Sequence, residues 1–249
     1  MRRAFTLLLL ILALGVALFG WLAGTTAGLR ALLGLAGTLS GERLSATVGN
    51  GSLLGPLHLT RLDWRDDTLS VGVDELAVDW SPSELFAGNL RVDRISAGRL
   101  AIRSTPSDEP AVLPTDLRLP LRVALAELTI GELQVDALPA VHDIALALHS
   151  DGRQHRIDGL RLTSDRIALA GRLALDGAAP FGLDGDFELS GRVADHPLSL
   201  AGKLSGELAA VDLVAQAKTG LDGHLAARLT PFAATPFAHA EIDLRGVDP

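Results

Sequence analysis

Leu69-Ser70-Val71-Gly72-Val73-Asp74-Glu75-Leu76-Ala77-Val78-Asp79-Trp80 decides the fold class of this chain. Leu69, Val71 and Val73 alternate with Ser70 and Gly72; Leu76, Val78 and Trp80 alternate with Ala77 and Asp79. Successive side chains of a strand point to opposite faces, so this period of two predicts strand with one apolar face. Toward the N-terminus, Leu57, Leu59, Leu62 and Trp64 repeat the pattern with one extra residue after Leu59, the register shift of a β-bulge. Toward the C-terminus, Leu90 and Val92, then Leu100 and Ile102, continue it. Strands separated by short polar turns make a meander. Ser81, Pro82 and Glu84 read as N-cap, first-turn proline and capping box of one helical turn.

Two prolines among polar residues in Ser104–Leu113 mark a linker. Beyond it Leu117, Leu119, Leu121, Val123 and Leu125 alternate, with Pro120 pointing to an edge or a strand start. Asp151-Gly152, Asp158-Gly159, Asp176-Gly177, Asp184-Gly185 and Asp222-Gly223 are tight-turn dipeptides between further alternating pairs such as Leu173/Leu175 and Leu198/Leu200. Upstream, Leu29, Leu32, Leu33 and Leu39 fall at helical spacing and predict a short apolar helix, lying at a membrane or under the sheet, that stops near Ser40-Gly41. The expected fold is mostly β: an N-terminal transmembrane helix, then an elongated, curled antiparallel β-sheet forming an open trough. Its segments are 1–26 (start and anchor), 27–42 (short helix), 43–105 (first sheet segment), 106–116 (linker) and 117–249 (continuing sheet). A compact sandwich is the alternative. The aliphatic stripe, with Trp64 and Trp80 and few phenylalanines, favours elongation, because sandwich cores usually use large aromatics.

Residues 5–23 carry no charge and follow Arg2 and Arg3. As a helix they span about 28 Å, close to the bilayer's hydrocarbon thickness. The arginines place the N-terminus in the cytoplasm and everything after residue 25 outside it, with Trp21 at the far interface. A cleaved secretory signal is the competing reading. The length of the run and the poor cleavage site at Gly24-Thr25-Thr26-Ala27 favour an anchor that stays attached.

Of the 249 residues, 48% are hydrophobic, ample for a core or an apolar groove, and the net charge of −8 argues against nucleic acid and against a polybasic surface for anionic lipid heads. The absence of cysteine excludes disulfides and thiolate metal sites. None of the seven histidines forms a helical metal pair; His142-Asp143 stands alone among strands, and His149 and His155 flank a turn that reads as a solvated hairpin. Serines lie outside any nucleophile elbow, the Gly49-Asn50-Gly51 stretch lacks the lysine of a phosphate loop, and Asp66-Asp67 and Asp74-Glu75 read as solvated strand ends rather than a calcium site. The expectation is a non-enzyme with no catalytic residue, cofactor or metal.

The first hundred residues resemble the N-terminal part of the TamB family, the inner-membrane component of the translocation and assembly module, within the AsmA-like group. The resemblance rests on the anchor running into Leu22–Leu29, on Gly49–Leu62, on Val71–Trp80 and on Leu90–Leu100. It implies a single-pass protein of the bacterial inner membrane with its bulk in the periplasm. It further implies a trough that conducts phospholipid or bridges outer-membrane protein and autotransporter assembly. Members of the family are far longer, and their C-terminal domain engages an outer-membrane barrel partner; that domain has no counterpart here, so a truncated chain is expected. The residues expected to line an apolar groove are Leu69, Val71, Val73, Leu76, Val78, Trp80, Leu100 and Ile102. The competing functional reading is an exported scaffold or interaction module whose apolar face is ordinary core.

Overall fold

The computed structural model describes residues 21–105, 112–193, 196–219, 222–233 and 237–245. Of the expected anchor only residues 21–23 fall within these ranges, and residues 5–20 lie outside the described residues. Among the described residues no helix is long and apolar enough to cross a membrane.

Helix α1 (Thr26–Leu39) is followed by β1 (Leu44–Gly51), β2 (Leu57–Arg65), β3 (Leu69–Ser81), a 3-10 turn (Pro82–Ala87), β4 (Asn89–Ser104) and β5 (Arg122–Val135). Then come β6 (Val141–Ser150), β7 (Gln154–Thr163), β8 (Ile167–Asp176), β9 (Gly182–Val193) and β10 (His196–Glu207). The last are β11 (Ala210–Thr219), β12 (Asp222–Leu229) and β13 (Phe237–Arg245). Among the described residues these thirteen strands form one sheet whose spatial order is their sequence order. Among the described residues each strand packs chiefly on its predecessor and successor, and α1 packs on β1. The sheet is open and mostly β as expected; a sandwich is not what forms.

Register explains how a single layer holds together. Apolar residues meet apolar residues strand after strand. Trp64 pairs with Val71, Val71 with Ile102 and Ile102 with Val135. Farther along, Leu148 pairs with Ile157, Leu169 with Leu189, Leu189 with Leu200, and Leu213 with Leu204. Direct cross-strand pairs of this kind are the unit of sheet stabilisation. The opposite face carries ladders of opposite charge: Arg61 to Asp74 at 2.9 Å, Arg94 to Glu127 at 2.9 Å and Arg99 to Glu132 at 3.3 Å.

A transverse crease keeps the apolar residues on one side. Asp74 bonds Arg61, and its chain neighbour Glu75 bonds His58 at 2.9 Å, so two consecutive residues of β3 lie on the charged face. Glu75 has φ 53°, a left-handed conformation that resets the alternation, and Val73 and Leu76 thereby share the apolar face. The same row continues in register through Gly98 of β4 and Gly131 of β5 to Asp143 of β6, itself at φ 52°. A Cβ on Gly131 would stand 2.7 Å from the Gly98 carbonyl oxygen, so the two backbones approach as only glycine permits. The extra residue read between Leu59 and Leu62 is the β2 end of this crease, where β1 also shifts register between Thr47 and Val48.

Several expectations are corrected. The sheet is not wholly antiparallel, because β4 and β5 run parallel. Parallel neighbours need a long return connection. Residues 105–121 supply it, spanning up to about 55–60 Å when extended against roughly 50 Å of β4. Leu117, Leu119 and Leu121 alternate without being strand, since the residues before Arg122 belong to this return. The amides of Leu117 and Leu119 donate to the carbonyls of Gly177 and Gly152, at 2.9 Å each, across the ends of other strands. The turn after β3 is a 3-10 turn in which the Ser81 side chain makes no cap bond, and Glu84 accepts from the Asn89 side chain at 3.2 Å instead of closing a capping box.

The predicted short helix is present as α1. Thr25 caps it, its hydroxyl accepting from the Gly28 amide at 3.0 Å, and the chain leaves through Ser40, Gly41 (φ 68°) and Glu42 (φ 64°). Residues 21–24 are also helical and meet α1 at a tight corner at Thr25. The corner is tied to the sheet by Leu54 N–H to the Ala23 carbonyl (3.1 Å) and by the Thr26 hydroxyl to the Gly51 carbonyl (2.9 Å).

Candidate functional site

All eight residues expected to line an apolar groove lie on the same face of β3 and β4, each half-buried. Val71 and Val73 stand directly beside Ile102 and Leu100. Leu76, Val78 and Trp80 continue past the crease, beside Leu59, Leu57 and Val92 respectively. Leu69 is paired with Ser104, at the end of the stripe. Leu59 (5% exposed), Val92 (7%), Leu125 (6%) and Ile144 (7%) are the most enclosed aliphatic side chains of this part of the face, although no second sheet among the described residues covers them. The enclosure comes from neighbouring side chains in the same face.

The stripe opens at one end into a cavity of about 840 Å³. Leu22 and Ala23 from the helical corner line one wall, Leu53 and Leu54 another, and Leu85 and Phe86 of the 3-10 turn a third, with Trp80 at the junction with the stripe. The Trp80 indole N–H is buried without a hydrogen-bond partner. Unsatisfied buried donors are uncommon in folded proteins. Phe86 is 97% exposed, and Leu54 and Leu85, which line the same cavity, are exposed as well, so this end presents apolar side chains to solvent. Sequence reading missed the cavity wall. Its signal was present: Leu53-Leu54 and Leu85-Phe86 are apolar pairs inside turns, where polar residues are usual.

The charged face is built of solvated ion pairs. Asp63 and Asp74 hold the Arg61 guanidinium above its ordinary range, chiefly through the hydrogen bonds from Arg61 to Asp63. In the same way Asp186 raises Arg172. On the return connection the Arg118 side chain pulls the Asp116 carboxyl down to about 2. His149 and His155 do not approach each other. His149 pairs with Arg156 on the charged face, whereas His155 reaches Ser150 Oγ (2.8 Å) and the Leu117 carbonyl (3.0 Å).

Fold and site together define a class: an open, single-layered β-sheet protein with an uncovered aliphatic face and an apolar cavity at its N-terminal end. The family description "TamB, N-terminal domain" matches residues 15–139, half of the chain, and the chain belongs to the TamB family. No curated protein and no solved structure matches it.

Proposed function

We propose that this chain is the inner-membrane end of a non-catalytic, periplasmic lipid conduit serving outer-membrane biogenesis, anchored through residues 5–23 with its N-terminus in the cytoplasm. One observation carries the reading. Among the described residues no second sheet covers the apolar face, and the face begins at a cavity lined in part by Leu22 and Ala23, at the end of the apolar N-terminal run. An acyl chain needs a continuous apolar surface and no specific polar partner, which is what this stripe offers. The crease through Glu75, Gly98, Gly131 and Asp143 is consistent with bending of the sheet into a trough, because a bulge bends its strand and raises the local twist. The enclosure of Leu59, Val92 and Leu125 supports it too, since a flat layer leaves such tips in water. Phospholipid is favoured over unfolded β-strands as cargo. An unfolded strand seeks backbone partners, which this side-chain face lacks.

The test is Val73→Asp and Ile102→Asp in the full chain, each measured for melting temperature and for co-purifying phospholipid. In an open groove an introduced carboxylate stays hydrated, so lipid is lost with the fold retained. In a buried core the same charge costs several kcal/mol and the fold collapses. Collapse of both variants would favour the exported scaffold. The anchor is checked separately by N-terminal sequencing of the membrane fraction, where a start near Ala27 would overturn it.

A further inference from the structure

A second cavity, of about 600 Å³, lies on the other side of the 3-10 turn. Glu84 of that turn lines this cavity, while its neighbours Leu85 and Phe86 line the apolar one. Its chemistry is the opposite: Arg91, Arg122, His149, Gln154 and Arg156 surround Ala124. Register places Arg91, Ala124, His149 and Arg156 in one row across β4 to β7, with Arg122 beside Asn89 one row nearer the rim. Strands lie about 4.8 Å apart, so the backbones of Arg91 and Arg156 are roughly 14 Å apart. Both residues line the cavity together with the small Ala124 and with His149, which stand between them in the row.

Elsewhere on this face Arg61, Arg94, Arg99 and Arg172 are each held by a carboxylate. Here, among the described residues, the side chains of Arg122, His149 and Arg156 have no hydrogen bond or ion pair. Arg91 uses its Nε on Asp93 at 3.1 Å and keeps its other donors. The two acids at the cavity are committed elsewhere. Glu84 holds the Asn89 amide, and Asp151 accepts the Arg153 and Gln154 amides at 2.8 Å each. A net charge of −8 argues against a diffuse basic surface, so this is a local concentration of cationic donors.

We infer that this rim cavity binds the phosphate of an anionic phospholipid headgroup. Guanidinium forks match phosphate oxygens bidentately, and several of them on one anion make a charge-assisted site. The phosphate itself is assigned by the arginine row alone. The choice of a lipid as its source rests on the lipid reading of the apolar face, because the apolar cavity stands just across the turn and suits the tails of the same amphiphile.

The experiment is calorimetric titration of the full chain, in a maltoside detergent, with dihexanoylphosphatidylglycerol, dihexanoylphosphatidylcholine and inorganic phosphate. The phosphatidylglycerol should bind, more weakly as salt is raised, and the zwitterionic lipid should bind far less well. The double variant Arg122→Gln/Arg156→Gln should lose about tenfold or more in phosphatidylglycerol affinity, the scale of losing charge-assisted hydrogen bonds. Arg103→Gln, at the far end of β4, should not change it. Equal binding of the two lipids, or undiminished binding in the double variant, overturns the site. Inorganic phosphate binding as tightly as phosphatidylglycerol overturns the headgroup assignment in favour of a free anion. Failure of the conduit reads out elsewhere, in the lipid that co-purifies with Val73→Asp, and leaves this titration intact.

Discussion

Adding a single methyl group to α1 should have opposite effects six residues apart. A Cβ at Gly28 would lie 2.1 Å from the Leu22 carbonyl oxygen and 2.4 Å from its Cα. Non-bonded heavy atoms settle near 3.5–4.0 Å, so the overlap is about 1 Å or more. The obstacle is backbone, which no rotamer change removes. The corner at Thr25 must open, and with it go the Leu54 N–H bond to Ala23 and the Thr26 bond to Gly51. Overpacking of this kind costs about 1–3 kcal/mol. At Gly34, in the same helix, a Cβ meets nothing within 4 Å. There the substitution only restricts the unfolded backbone and adds helix propensity, worth about 0.8–1 kcal/mol. Hydrogen exchange of the full chain reads both. Gly28→Ala should speed exchange of the Leu29 and Leu54 amides by about 5- to 100-fold, and Gly34→Ala should slow exchange through α1 by about fivefold, on the scale of 1.4 kcal/mol per tenfold. If Gly28→Ala protects these amides as Gly34→Ala does, the corner is not packed against Leu22 and the reasoning fails.

Three further outcomes follow from the geometry. Gly131→Val should destabilise the crease by about 1–3 kcal/mol through contact with the Gly98 carbonyl, seen as faster exchange in β4 to β6; unchanged exchange there would refute the close approach. His155→Ala should release the return connection, so the Leu117 and Leu119 amides exchange faster while β1 to β3 stay as they were, and a uniform loss of protection would contradict this local role. The Asp116 carboxyl, held down to about 2 by the Arg118 side chain, supports its turn above the ordinary carboxylate range and loses that support as pH falls from about 4 through 2. Carboxyl NMR should find its midpoint near the lower value, and Arg118→Gln should return it toward normal; a normal midpoint in the unsubstituted chain would exclude the pair in solution.

Most of the strands were legible because each is two-faced. Val71, Val73, Leu100 and Ile102 must share a face, and alternation says so without any knowledge of neighbours. Alternation is blind to direction, however. Nothing in Leu90–Ile102 or Val123–Val135 records that β4 and β5 run parallel; only the length of the intervening segment bears on it. Alternation is also insufficient, as Leu117, Leu119 and Leu121 show, because a strand needs a neighbour to receive its amides. The residues of the aliphatic stripe were readable as a set that shares one face. The cavity wall was not, because Ala23, Leu54 and Phe86 come from three turns and corners that meet only in space. The arginine row was hidden for the same reason: four strands each contribute one side chain, and chain-wide charge averages them away.

The neighbour-only order of the sheet bears on how such a chain is made. Each strand adds to the edge left by the one before, so an emerging polypeptide can zip up from its first hairpin without waiting for distant sequence. One step breaks that rhythm. After β4 the chain must travel the full length of the strand before β5 can dock, and until it does, β4 presents a bare edge of sixteen residues. Docking of β5 is therefore the step of sheet growth that waits longest, and the bare edge of β4 is the template most open to mispairing in that interval.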